Sequence, residues 1–165
     1  MKNLDIINKK ILDRKTLSAQ LAIWEFKQKK VVFTNGCFDI LHLGHIDYLS
    51  KAKDLGDILI IGLNTDLSVQ RLKGKNRPVV NEHARARLLA SLLFVDAVVL
   101  FDEDTPYELI KTVQPNILVK GSDYKEEDIV GYDIVKSNAG SIKTIDFLEG
   151  YSTTSIIEKL KDGQN

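Results

Sequence analysis

The sequence holds a single cysteine, Cys37, so no disulfide can form within the chain and nothing points to an oxidising compartment. It has no excess charge of either sign: 23 lysines and arginines balance 23 aspartates and glutamates. That balance excludes the basic surplus of a nucleic-acid binder or of a protein held on an acidic membrane, so we expect neither partner. No apolar run approaches the ~20 residues of a membrane span. We expect no secretory leader either, because Met1 to Arg14 mixes lysines and aspartates with apolar residues. Internal repeats and low-complexity tracts are also missing. What is present is an ordinary globular balance, 44% hydrophobic and 28% charged over 165 residues. That length suits one compact domain whose core needs no staples. We expect a single domain over 1–165, with 1–15 as an N-terminal extension, in a cytoplasmic protein.

Short apolar runs alternate with amphipathic stretches. Val31 to Phe33, Asp57 to Leu63, Asp96 to Phe101, Asn116 to Val119 and Ser141 to Ile145 read as strands, several of them apolar throughout, as strands buried on both faces are. Thr16 to Lys29, His45 to Lys53, Asn81 to Leu93, a segment opened by Thr105-Pro106, and Thr154 to Lys161 read as helices. Strands alternating with helices imply βαβ units and right-handed crossovers. The expected fold is α/β, a Rossmann-like doubly wound parallel sheet of about five strands flanked by helices. Ligands of such sheets bind outside the carboxyl ends of the strands. Attention therefore falls on Thr34 to Asp39, Asn64 to Asp66, Asp102 to Pro106, Lys120 to Tyr124 and Phe147 to Thr154.

The first of these segments is the richest. Asn35-Gly36 supplies a tight turn, followed by Cys37, Phe38 and Asp39, then by His42-Leu43-Gly44-His45 at the start of a helix. A helix start presents free N–H groups and a partial positive charge, which makes it an anion site. His42 and His45 are three residues apart, about one turn, so both rings can face one spot. Gly44 between them removes a side chain and admits a ligand close to the backbone. Two imidazoles at a helix start suit a triphosphate and the charge that grows as pyrophosphate departs. Asp39 would repel such a ligand and is read as an acceptor of backbone N–H bonds. Cys37 has no neighbouring base to activate it and is read as a small buried residue.

With these residues the chain resembles the nucleotidyltransferase superfamily marked by the HxGH signature. The resemblance implies that His42 and His45 contact the triphosphate, with backbone around Asn35, Gly36, Cys37, Phe38 and Gly44 contacting phosphate. Arg85 falls on the apolar stripe set by Leu88, Leu89 and Leu92, where a charge needs a ligand or a partner such as Asp39 or Asp66; Arg87 falls opposite. In register it matches the arginine that begins this helix in the family, so Arg85 and Asp66 are candidates for ligand contact. The segment Leu72 to Pro78 carries three cations in five residues and reads as a basic loop, in which resemblance favours Lys73 as catalytic. Lys120 leaves the fourth strand, where it either reaches a bound phosphate as a substrate contact or ends in solvent; Gly121 and Asp123 after it are candidates for nucleotide contact. Ser152, Thr153 and Thr154 open the last helix, where Ser155 with Glu158 offers an alternative capping box. A glycine-x-serine-threonine-threonine segment there is a family signature. Phe147 departs from the pattern, because some cytidylyltransferases of the superfamily carry arginine near that position.

The likeness runs over Thr16 to Leu160 and is similar in detail to the branch that makes ADP-heptose. It implies AMP transfer from ATP to a heptose 1-phosphate, Mg²⁺ bridging the triphosphate, no dedicated metal ligands, a product used in lipopolysaccharide, and a homodimer. That activity often sits beside a kinase domain, so this chain would be a stand-alone form. Two other readings stay open: a cytidylyltransferase for glycerol phosphate or a phosphorylated amino alcohol, and a nucleotide-binding module without turnover. A Rossmann oxidoreductase is discounted because GxGxxG is missing after the first strand.

Overall fold

The computed structural model describes residues 2–122 and 125–163. Within them, six parallel strands form one sheet: β1 (Ile11–Leu12), β2 (Val31–Gly36), β3 (Ile58–Asn64), β4 (Ala97–Phe101), β5 (Ile117–Gly121) and β6 (Ser141–Ile145), in the spatial order β1-β4-β3-β2-β5-β6. Eight α-helices accompany them among the described residues: α1 (Asn3–Asn8), α2 (Arg14–Phe26), α3 (Leu43–Lys53), α4 (Asp66–Lys73), α5 (Glu82–Ser91), α6 (Tyr107–Val113), α7 (Tyr132–Ser137) and α8 (Thr153–Asp162). None of these is long and apolar enough to cross a membrane.

β3 explains why the run at 57–63 reads as a buried strand: all seven of its residues are buried, with Ile58 and Ile60 facing one layer and Leu59, Ile61 and Leu63 the other. One core layer joins Leu17, Phe33, Ile60, Val99, Leu109 and Leu118 under α2 and α6. The other joins Val32, Leu59, Ile61, Leu49, Leu89 and Val119 under α3 and α5. Each layer is one set of alternating strand residues, as the period of two requires.

Several expectations need correction. The sheet has six strands, because Ile11–Leu12 pairs with Val98–Val99 as β1. Two residues are too few to show a pattern. Leu72 and Lys73 are the last turn of α4 rather than loop; the helix stops at Gly74, whose φ of 92° only glycine adopts freely. α6 begins at Tyr107 with Pro106 in the cap position, so Thr105 does not cap it. On α5 the buried face is Arg85, Ala86, Leu89 and Ala90, while Leu88 is exposed; small alanines let the helix lie close to the sheet. Ile23 likewise points outward from α2.

After β2 the chain builds β3 and β4 on one side, then crosses back to lay β5 on the other. β2 and β5 therefore flank the switch point, and their carboxyl ends open the crevice where such folds bind ligands.

Candidate active site

The site begins where β2 ends. Phe38 takes left-handed backbone geometry (φ 43°), which costs a phenylalanine about 1–2 kcal/mol. The turn brings its ring edge-on to His45, centroids 5.1 Å apart. Asp39 follows, 2% exposed, with both carboxylate oxygens engaged: Oδ1 accepts from the N–H groups of Val79 (2.7 Å) and Val80 (2.9 Å), and Oδ2 from Nε of Arg77 (2.6 Å). It does accept backbone N–H bonds, and they come from the segment before α5.

α3 then starts at Leu43 with His42 in the cap position, its side chain making no capping bond. The His42 and His45 rings stack, centroids 3.8 Å apart and planes 19° apart. Gly44 is buried beneath them. A Cβ there would stand 3.1 Å from Nδ1 of His42 and 3.2 Å from Cβ of Tyr151, so only glycine leaves the His42 ring its place. Nδ1 of each histidine is buried and makes no hydrogen bond of ordinary geometry among the described residues, although the Ile40 backbone lies near enough to act on the His45 ring. An unpartnered buried nitrogen costs free energy and marks a place built for something else.

Burial holds both imidazoles below their ordinary pKa. His45 is lowered to about 4, first by burial and then by the neighbouring His42 and Lys73; His42 is lowered by burial. Both are neutral at pH 7. Between pH about 4 and 6.5 the unfolded chain binds a proton at His45 that the folded chain refuses, so stability rises with pH across that window. We expect the unfolding free energy to fall by up to about 3 kcal/mol between pH 7 and pH 4 from this group. Denaturant titrations at half-unit steps should show that slope, and His45→Gln should flatten it.

Two joined cavities face the rings. One, of about 490 Å³, is lined by Asn35, Gly36, Cys37, Phe38, His45, Lys73, Arg77, Lys120 and Gly121. The other, of about 340 Å³, is lined by His42, Gly44, Tyr151, Ser152 and Thr154, and shares His45, Lys73, Arg77, Phe147 and Thr153 with the first. Starts of α3 and α8 thus converge on one space. Lys120 spans the switch point, donating from Nζ to Oδ1 of Asn35. Ser152, not Ser155 or Thr154, caps α8: its Oγ accepts from the N–H of Ser155 at 3.0 Å. Cys37 lines the first cavity, and burial pushes its thiol pKa up, so it stays a thiol.

Not every candidate arrives there. Arg85, 1% exposed, lies behind the cavity wall rather than in it. It donates to the carbonyl of Cys37 (2.6 Å), the carbonyl of Val80 (2.9 Å) and Oδ1 of Asp66 (2.7 Å). Of the two roles open to it, ligand contact or ion pair with Asp66, the geometry is that of the pair, and Asp66 is engaged in the same contact. Asp102 and Asp104 after β4 pair with Arg71 instead of facing the cavity. Asp123 lies outside the described residues. Tyr48 lines the first cavity from outside every segment the sequence had marked, while Asn64 and Arg77 line it from marked segments in which neither had been named as a candidate. Tyr48 follows His45 by one turn of α3, and its hydroxyl meets Oγ1 of buried Thr34 at 2.8 Å; that spacing was the available signal. Among the described residues no cluster of three or more His, Cys, Asp or Glu could hold a metal ion.

What converges here stabilises negative charge and offers no activated nucleophile: imidazoles, amide-rich helix starts and cations around a space of polyphosphate size. That chemistry, on a doubly wound sheet with His42-Leu43-Gly44-His45 at the switch point, is the chemistry of the HxGH nucleotidyltransferases. More narrowly, the chain belongs to the cytidylyltransferase-like family, whose model matches residues 33–159. It is 58% identical over 154 residues to the bifunctional protein HldE of Campylobacter jejuni subsp. doylei, covering 93% of this chain and 32% of that protein. The bifunctional protein HldE of Syntrophotalea carbinolica is 54% identical over 153 residues, 93% of this chain and 31% of the relative. The chain thus spans about a third of the length of the curated relatives it matches. Among solved structures, the lipopolysaccharide core biosynthesis protein of Thermoplasma volcanium matches with a TM-score of 0.61 and 32% identity, covering 75% of this chain and 99% of the other. Pantoate-beta-alanine ligase of Francisella tularensis, crystallised with beta-gamma ATP and beta-alanine, matches at 0.59 over 94% of this chain and 78% of the other; at 19% identity the likeness is one of fold.

Proposed function

We propose that this chain, as one nucleotidyltransferase domain, transfers AMP from ATP to heptose 1-phosphate, forming ADP-heptose and pyrophosphate. The observation that carries the reading is the stacked imidazole pair with its buried, unpartnered nitrogens beside the starts of α3 and α8. A phosphate oxygen of the sugar phosphate attacks the α-phosphorus of ATP; the bond from that phosphorus to the bridging oxygen breaks, and pyrophosphate leaves with the electron pair. The attacking oxygen is already an anion, so no general base is required, and catalysis is positioning and charge stabilisation. His42, His45, Lys73 and the N–H groups of α3 face the leaving pyrophosphate. Lys120 at the β2–β5 crevice takes the sugar phosphate, and Asn35 and Gly121 beside it contact the nucleotide. With no cluster of protein ligands for a metal among the described residues, Mg²⁺ would be held by the nucleotide itself and would supply neutralisation of part of the triphosphate charge. The heptose acceptor rests on the sequence likeness, on the similarity to HldE proteins and on that to a lipopolysaccharide core biosynthesis protein. A homodimer working in the cytoplasm, with its product destined for lipopolysaccharide, belongs to the same proposal.

Phe147 lines both cavities where some cytidylyltransferases have arginine, so the base or phosphate contacts of such an arginine are missing here. Pyrophosphate release should therefore be measured with each of four nucleoside triphosphates against heptose 1-phosphate, glycerol phosphate and a phosphorylated amino alcohol, with mass spectrometry of the product. ATP with heptose 1-phosphate should be preferred; turnover only with CTP, or nucleotide binding without any release, would overturn the reading. Gly44→Ala tests the site's geometry separately. Its Cβ would force the His42 ring to give way by a few tenths of an ångström. Since a misplacement of ~1 Å can cost ~10²-fold, we expect turnover to fall by roughly tenfold with little change in melting temperature.

A further inference from the structure

We propose that Arg77 is a further phosphate-binding residue of this site, a guanidinium aimed by Asp39, and that Asp39 is its positioning residue. The inference rests on the nucleotidyltransferase reading and deepens it. Arg77 comes from the segment between α4 and α5, yet its side chain is only 16% exposed, which is low for an arginine on a connecting segment. Its Nε donates to Asp39 at 2.6 Å, while its two terminal nitrogens have no partner among the described residues. Those nitrogens belong to a side chain that lines both lobes of the cavity, as His45 does. It also borders the groove along α8 formed with Thr154, Ile157 and Glu158.

Asp39 sets this arrangement. Its 1%-exposed carboxylate accepts three hydrogen bonds, one from the Arg77 guanidinium and two from the backbone just beyond it at Val79 and Val80. Gripping Nε and the following backbone together leaves a planar fork with one rotation removed and both outer nitrogens unbound. A fork of that kind suits two oxygens of one phosphate, or one oxygen from each of two neighbouring phosphates, in a way that a lysine ammonium does not. The pairing also answers the question the sequence raised about Asp39. A buried carboxylate beside a polyphosphate site would repel the ligand, but the guanidinium and two N–H dipoles offset its charge. Cys37, in the same cavity, feels the positive fields of Lys73, Arg85 and Arg77 together, so the net field there is that of cations. Lys73 and Arg77 thus differ in kind: Lys73 is an exposed point charge at the end of α4, and Arg77 is a preset clamp.

The test uses inorganic tripolyphosphate and ATP with the full chain. Binding of tripolyphosphate by calorimetry, steady-state pyrophosphate release and melting temperature are measured for the parent, Arg77→Gln and Arg77→Lys. We expect Arg77→Gln to bind tripolyphosphate at least tenfold more weakly and to lose kcat/KM for ATP by a larger factor. Arg77→Lys keeps a cation for Asp39, so it should restore melting temperature while recovering less than a tenth of the lost affinity. Unchanged tripolyphosphate affinity in Arg77→Gln overturns the inference, as does an Arg77→Lys variant that regains affinity and stability together, because that result makes Arg77 a mere counter-ion. Should the parent release no pyrophosphate from ATP with any acceptor, the proposed function fails instead, whatever the Arg77 variants bind.

Discussion

Alanine in place of His42 should lower pyrophosphate release from ATP by about 10²–10³-fold, with the melting temperature within a few degrees of the parent. Removing a single preorganised donor to developing charge has an effect of that size. The geometry says why the loss should fall on turnover. His42 makes no capping bond to α3, and its Nδ1 bonds to nothing among the described residues, so folding gains little from the ring. Its stacking on His45 at 3.8 Å instead keeps two imidazoles at one spot over the helix start. His42→Asn separates charge stabilisation from shape, since an amide can still donate one hydrogen bond; it should retain more rate than His42→Ala. Turnover above half the parent value in His42→Ala would sink the role assigned to the pair.

Arg85→Met should have the opposite signature, a large loss of stability with activity lost as a consequence. Arg85 is buried to 1% exposure and ties three segments together: the carbonyl of Cys37 after β2, the carbonyl of Val80 before α5, and Asp66 at the start of α4. Methionine fills much of the volume and leaves all three acceptors without a donor. Breaking a buried pair by removing one partner typically costs about 3–5 kcal/mol. Asp66 is 32% exposed and can turn to water, which favours the lower end. In a domain of this size each kcal/mol moves the melting temperature by roughly 2–4 °C, so a fall of about 6–12 °C is expected at that lower end. Asp66→Asn alone should cost less, and the double variant should cost less than the sum of the two. A melting temperature within 2 °C of the parent in Arg85→Met would show that the strut holds nothing, and would return Arg85 to the list of ligand contacts.

The contrast between these residues shows what a sequence can and cannot reveal. β3 and β4 were legible because both faces are buried and, apart from Gly62 and the terminal Asn64 of β3, their residues are apolar. α4 was not: only Ser68 and Val69 of its eight residues are buried, so it carries no stripe, and its last turn looked like part of a basic loop. α1 and β1 escaped because a two-residue strand has no period to read. In the site, His42, Gly44 and His45 were visible since they are adjacent in sequence and their spacing is that of one helical turn. Lys120 was visible as a cation at a strand end, whereas Lys73 stood out only through the family resemblance. Arg77 was hidden among three cations that local pattern cannot rank; only its bond to Asp39, 38 residues away, separates it from Lys75. Arg85 was recognised as a charge on a buried face, but its choice between ligand and Asp66 was a matter of three-dimensional distance.

The two lobes of the cavity are completed at opposite ends of the chain's path. Asn35 to His45 supply one wall early, while Phe147 to Thr154 supply the facing wall only after β6 has joined the sheet. During synthesis the central strands can therefore pair, and the imidazoles can stack, long before a nucleotide has anywhere to be enclosed. Until α8 docks, the cleft beside the stacked imidazoles stays open to water, and only then can it enclose a ligand.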